Sequence, residues 1–157
     1  SYRKDETHIN GMTLGAFTGY FRERRSLKNI THPYDDYKAH IVLGVIYDTV
    51  SDIDERKSYT LEQLGEIVSA IKNFQFFVQE KWQIAIDRPG SGNTKNIGSV
   101  SKIEDLVNGN GTFAELGEDV FNDYWMYYLT ADMAKKAELP KPYYSNLAEY
   151  KQFKHMD

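Results

Sequence analysis

The chain has 157 residues, 41% hydrophobic and 14% aromatic, enough apolar material for a single domain with its own core. It contains no cysteine, which excludes disulfides and thiolate metal sites, and its histidines (His8, His32, His40, His155) show no ligand spacing. The longest apolar run, Ala39 to Tyr47, is too short to span a membrane, and a net charge of −4 argues against indiscriminate binding of polyanions.

In chain order, "GMTLGAFTGYF" (11–21) mixes glycines with alternating apolar residues and predicts a strand with a bend or bulge. "HIVLGVIYDTV" (40–50) is a β-branched run bounded by polar residues, the pattern of a buried central strand. Thr60 and Gln63 form a capping-box pattern, and Leu61, Leu64, Ile67, Val68 and Ile71 recur on one face, predicting a helix. "FQFFVQ" (74–79) and "KWQIAID" (81–87) read as a hairpin or two paired strands. Ser101 and Glu104 start a second helix with Ile103, Leu106 and Val107 on its apolar face, and Asn108-Gly109 stops it. Glu115 to Leu129 carries Val120, Phe121, Tyr124, Trp125 and Tyr128 at helical spacing. Pro140 and Pro142 interrupt the chain, and "SNLAEYKQF" (145–153) offers a last short helix capped by Ser145 or Asn146. Strands, helix, strands and then several helices predict an α/β (α+β) fold, a mixed sheet flanked by helices. No repeat or linker divides the chain, so residues 1–157 read as a single domain.

Two basic windows run against the average charge: Arg22, Arg24, Arg25 and Lys28, opposed only by Glu23, and the acid-free stretch from Arg88 to Lys102. Within the second lies "RPGSGNTKNIGS" (88–99), rich in glycine and small polar residues. It has neither the GxxxxGK[ST] spacing of a Walker loop nor GxGxxG. Its glycines let backbone groups approach a surface closely, Asn can pair with the N6/N7 edge of adenine, and Thr can meet a thymine methyl. The residues alone leave both a plain surface loop and a base-reading head open. Asp54, Glu55 and Lys57 resemble a nuclease D…ExK set but lie in a polar connection before a capped helix, where a solvated charge run is the expectation. The aromatic stripe Phe121, Tyr124, Trp125, Tyr128 reads as core packing, with the Tyr128 hydroxyl a candidate phosphate contact.

Four stretches carry a resemblance: "MTLGAFTGYFR" (12–22), "NITHPYDDYKAHIVLGVIYDTV" (29–50), "VQEKWQIAIDRPGSGNTKNIGS" (78–99), and "FNDYWMYY" (121–128) with "NLAEYKQF" (146–153). Together they resemble the C-terminal two-thirds of type II restriction endonucleases of the EcoRV kind. The resemblance implies a restriction endonuclease-like fold and a homodimeric, Mg2+-dependent nuclease gripping duplex DNA, with GATATC as the target and the middle TA step read by bending. Gly90 and Gly92 would offer main-chain groups to base edges, Asn93 would face an adenine, and Thr94 would contact a base. Ser91, Lys95 and Asn96 would lie beside them. Thr13 falls where a threonine lies close to the central bases, and Lys28 where a lysine contacts phosphate. A bacterial or archaeal cytoplasm and a cognate methyltransferase are further implications.

The departures are informative. The D…DxK carboxylates and lysine of the resembled family have no counterpart in residues 1–157, so the catalytic and Mg2+-holding residues are expected upstream of Ser1, and the chain by itself is expected not to cleave. Thr49 and Thr130 stand where that family has phosphate-contacting arginines, for which Lys135, Lys136 or the Arg22–Arg25 cluster could substitute. Two other readings remain open: a non-catalytic sequence-specific DNA-binding module, and an unrelated α/β domain whose glycine loop holds a small anion.

Overall fold

β-Branched and aromatic residues in 41–49 and 71–80 favour extended backbone, and the computed structural model pairs these two segments as the longest ladder of the molecule. It describes residues 1–17, 36–51, 53–54, 56–90 and 95–156. The elements are β1 (Thr13–Ala16), β2 (Ile41–Thr49), β3 (Ile71–Glu80), α1 (Lys81–Ile84), β4 (Ala85–Pro89), β5 (Asn96–Ser99), α2 (Ile103–Asn108), α3 (Glu118–Tyr127), α4 (Ala131–Lys136) and α5 (Leu147–Phe153). The strands make two antiparallel sheets, β1-β5-β4 and β2-β3, and helices flank them, so the α+β expectation holds. Parallel pairing among the described residues is an isolated bridge between Tyr2 and Tyr47.

The core lies between the β1-β5-β4 sheet and α3. Phe17, Ile84, Ala85, Ile97, Phe113, Phe121, Tyr124 and Trp125 are all buried there. Rings of Phe17, Phe113, Phe121, Tyr124 and Trp125 meet at centroid distances of 5.1–5.4 Å, tilted or edge-on, as ring quadrupoles prefer. The apolar spacing seen in 115–129 therefore faces inward. Asn146 caps α5, accepting from the Glu149 N–H at 2.9 Å. Gly109, at φ 71°, ends α2 in the left-handed conformation that glycine tolerates.

Three expectations are corrected. The predicted helix after Thr60 is only a 3-10 turn, Leu61–Glu66: Gln63 does accept from the Thr60 N–H at 3.1 Å, but no residue of the turn is buried. Gly65 and the β-branched Ile67 and Val68 favour leaving the helix, and Leu61, Leu64, Ile67 and Val68 all stay exposed. The runs 74–79 and 81–87 do not pair with each other. One helical turn, α1, separates them, and β3 joins β2 while β4 joins β5. Nor is β2 buried on both faces. Val42, Gly44 and Ile46 point inward, whereas Ile41 and Leu43 share an exposed outer face with Phe74, Phe76 and Val78 of β3. α4, capped by the Thr130 hydroxyl accepting from the Met133 N–H at 3.3 Å, was not evident in the sequence.

Candidate nucleic-acid interface

Within 88–99 the described residues form a hairpin base, two antiparallel strands on either side of 91–94. β4 leads in, β5 leads out, and the Gly90 N–H closes the base by donating to the Asn96 carbonyl at 3.0 Å. β1 lies along the far side of β5, with Thr13 opposite Gly98 and Ala16 opposite Asn96. Two further bonds tie β1 to the hairpin. The Phe17 N–H donates to the Lys95 carbonyl at 2.8 Å, and the Ser99 hydroxyl donates to the Met12 carbonyl at 3.0 Å. The hairpin thus stands on a three-stranded base whose underside, Leu14, Ala85 and Ile97, is buried in the core.

Gly90, Thr13 and Lys95 are exposed on this base, and Asn96 is half-buried. The approach of Gly90 to Thr13 is very close: a Cβ on Gly90 would lie 2.7 Å from the Thr13 methyl and 3.2 Å from the Gly98 Cα. Gly98 is equally confined, since a Cβ there would lie 2.8 Å from the Arg88 carbonyl. Ser91, Gly92, Asn93 and Thr94, and Lys28 with the Arg22–Arg25 cluster, lie outside the described residues.

Tyr128 is placed behind the base rather than at its rim. It is 7% exposed and its ring packs edge-on to Phe17 at 5.5 Å and against Trp125 at 4.9 Å. Burial, and then the nearby Asp87 carboxylate, raise the pKa of its hydroxyl and keep it protonated. Lys135 and Lys136 are exposed at the end of α4, while Thr130 is engaged in capping that helix. Asp54 and Lys57 sit in an exposed turn. There the Asp54 carboxylate accepts from the Arg56 N–H at 3.0 Å and the Lys57 ammonium covers the Tyr59 ring at 4.6 Å, in keeping with a solvated charge run. Glu55 lies outside the described residues.

Asp87, three residues before Gly90, was not singled out by sequence. Its carboxylate accepts from the Leu147 N–H of α5 at 2.9 Å, and its carbonyl accepts from the Tyr124 hydroxyl of α3. A lone acid between "QIAI" and "RPG" carries no spacing signal, because its partners lie 37 and 60 residues away.

The chain matches the family model "Restriction endonuclease EcoRV" over residues 1–155. The chain belongs to that family. Among curated proteins it is similar to "Type II restriction enzyme EcoRV" of Escherichia coli, 37% identical over 153 residues. The match takes in 96% of this chain and 59% of the relative's length, so the chain spans about three-fifths of that protein. Among the described residues no helix is long and apolar enough to cross a membrane, and no group of three or more His, Asp or Glu is placed to hold a metal ion.

Proposed function

We propose that this chain is the sequence-reading part of a site-specific type II deoxyribonuclease, and that its 90–96 hairpin enters the major groove of a GATATC-like palindrome. The observation that carries this reading is the family match across the whole segment that builds the hairpin and its base. Exposure of Gly90, Thr13 and Lys95 on the three-stranded base supports it. Gly90 and Gly92 would present main-chain groups to base edges, Asn93 an amide to adenine, and Thr94 a methyl or hydroxyl. Ser91, Lys95 and Asn96 would approach the backbone beside them, Thr13 the central step, and Lys28 a phosphate. Tyr128 would serve the backbone contact only indirectly, by holding Phe17 and with it the end of β1.

Membership of a family of type II restriction enzymes supports hydrolysis of DNA phosphodiesters as the activity of the intact enzyme, acting as a homodimer, with Mg2+ supplied to the scissile phosphate and a methyltransferase protecting the host site. The described residues of this chain do not fit the metal: Asp54 is spent on its own turn, and no carboxylates converge near Thr13. No cleavage step is therefore assigned to the described residues, and the metal-holding carboxylates would come from elsewhere.

The test is fluorescence anisotropy of the purified chain with a GATATC duplex and a scrambled duplex, followed by addition of Mg2+. The chain should prefer the GATATC duplex without cutting it. Asn93→Ala should reduce that preference by about 5- to 150-fold, the worth of a bidentate base contact of roughly 1–3 kcal/mol. Equal affinity for both duplexes would remove the base-reading role. Cutting by the chain itself would return the catalytic residues to it, with Asp54, Glu55 and Lys57 the first to substitute.

A further inference from the structure

The ladder between β4 and β5 is irregular where the hairpin needs it most. Ala85 pairs with Ser99 and Pro89 with Ile97, and the register shifts between them. Pro89 has no N–H to give, so beyond the shift the β4 side donates only from the Gly90 N–H, to the Asn96 carbonyl. A bulged segment bends and twists unless something else holds it. Asp87 sits in the middle of this shift, and it is held from two directions. From α3, the Tyr124 hydroxyl donates to its carbonyl; from α5, the Leu147 N–H donates to its carboxylate at 2.9 Å.

The two helices are themselves tied together, because the Tyr150 hydroxyl of α5 donates to the Asp123 carboxylate of α3 at 2.5 Å. On α5, the Asn146 side chain takes the Glu149 N–H, and the Glu149 carboxylate takes the Ser145 N–H at 2.7 Å. The Leu147 N–H is thus the donor of that first turn that reaches across to β4. A carboxylate at this spot supplies both an acceptor and a charge suited to a helix start.

We propose that Asp87 is a positioning residue that sets the pairing of β4 with β5, the base from which 91–94 leave, by clamping the bulge of β4 to α3 and α5. It touches no ligand itself. Its effect on DNA reading rests on the function proposed above, but its effect on the hairpin does not, and the two are separable by experiment.

Amide hydrogen exchange on the free chain reads the hairpin directly. The Gly90 and Phe17 amides, bonded to the Asn96 and Lys95 carbonyls, report the hairpin base. The Ile103 amide, bonded to the Thr7 carbonyl at 2.8 Å, reports the rest of the fold. In Asp87→Ala the Gly90 and Phe17 amides should exchange at least tenfold faster relative to Ile103. Asp87→Asn, which keeps an acceptor for the Leu147 N–H, should restore most of the protection. Equal changes at all three amides would show a merely structural residue and overturn the proposal, as would unchanged exchange at Gly90 and Phe17. Anisotropy on the same variants adds the second reading. Faster exchange with a wild-type chain that shows no preference for GATATC would uphold the clamp and refute base reading. Faster exchange with discrimination lost in Asp87→Ala and regained in Asp87→Asn would uphold both.

Discussion

Replacing Lys81 by Met should stabilise the protein at neutral pH and abolish a specific rise of stability with pH. Lys81 opens α1 and is 7% exposed, and its backbone N–H bonds to the His40 carbonyl whatever the side chain. Burial lowers its pKa from 10.5 to about 8, against a smaller opposing pull from the Glu118 carboxylate. Because the folded pKa lies below the unfolded value, folding favours the neutral amine. Below pH 8 both states are charged and the full cost of burying the ammonium is present. Between about 8 and 10.5 the unfolded chain binds the proton and the folded one does not, so stability rises with pH. At about 1.4 kcal/mol per pH unit, the difference between 10.5 and about 8 amounts to roughly 3 kcal/mol. Above pH 10 the trend reverses, since burial raises the hydroxyls of Tyr124, Tyr128 and Tyr150 and the folded state then holds protons the unfolded chain releases. Methionine keeps the length and packing of the stem without the charge. Urea unfolding of both proteins at pH 7, 8, 9 and 10 should show Lys81→Met more stable by roughly 2–3 kcal/mol at pH 7 and by under about 1 kcal/mol at pH 10. A gap that stays constant across this range would refute the reasoning.

Gly111→Ala should lower stability by about 1–3 kcal/mol, because its Cβ would meet backbone, at 2.6 Å from the Gln83 carbonyl and 2.7 Å from that of Ala85, and neither can move aside. An unchanged thermal midpoint would contradict that contact. Gly90→Ala should cost less in a Thr13→Ser background, where the methyl at 2.7 Å is gone, and a double-mutant cycle should give a coupling of about 0.5–1.5 kcal/mol. Independence of the two substitutions would place Thr13 away from the hairpin. Leu43→Lys and Phe76→Lys, at positions 68% and 64% exposed, should change stability by under about 0.5 kcal/mol while reducing binding of an apolar dye and self-association. A loss above about 2 kcal/mol would mean that this face is covered in solution.

Local chemistry was legible without the fold. Asn146 at the head of "LAEYKQF", Gly109 behind "IEDLVN" and the inward stripe of α3 follow from interactions within a few residues, and the structure has all three. So was family membership, carried by long runs that include the hairpin and the strands beneath it. Of the expected site residues, the structure sets Gly90 against Thr13 and pairs Asn96 with Ala16 of β1, and only their resemblance to known enzymes, not their composition, marked them out.

What tertiary structure alone decided is a matter of partners far apart in the chain. Apolar periodicity in 60–71 is the same whether or not a face receives it, and here Leu61, Leu64, Ile67 and Val68 stay exposed, so the helix expected there shrinks to the 3-10 segment Leu61–Glu66. The runs 74–79 and 81–87 have equal claim to pair, and it is the one-turn helix at Lys81, anchored on the His40 carbonyl, that sends them to different sheets. Asp87 is the sharpest case. Its residue type says only that a carboxylate stands before a proline. Its role exists because α3 and α5, folded back from 37 and 60 residues downstream, bring a hydroxyl and an N–H to the bulge where its own strand is least able to hold itself.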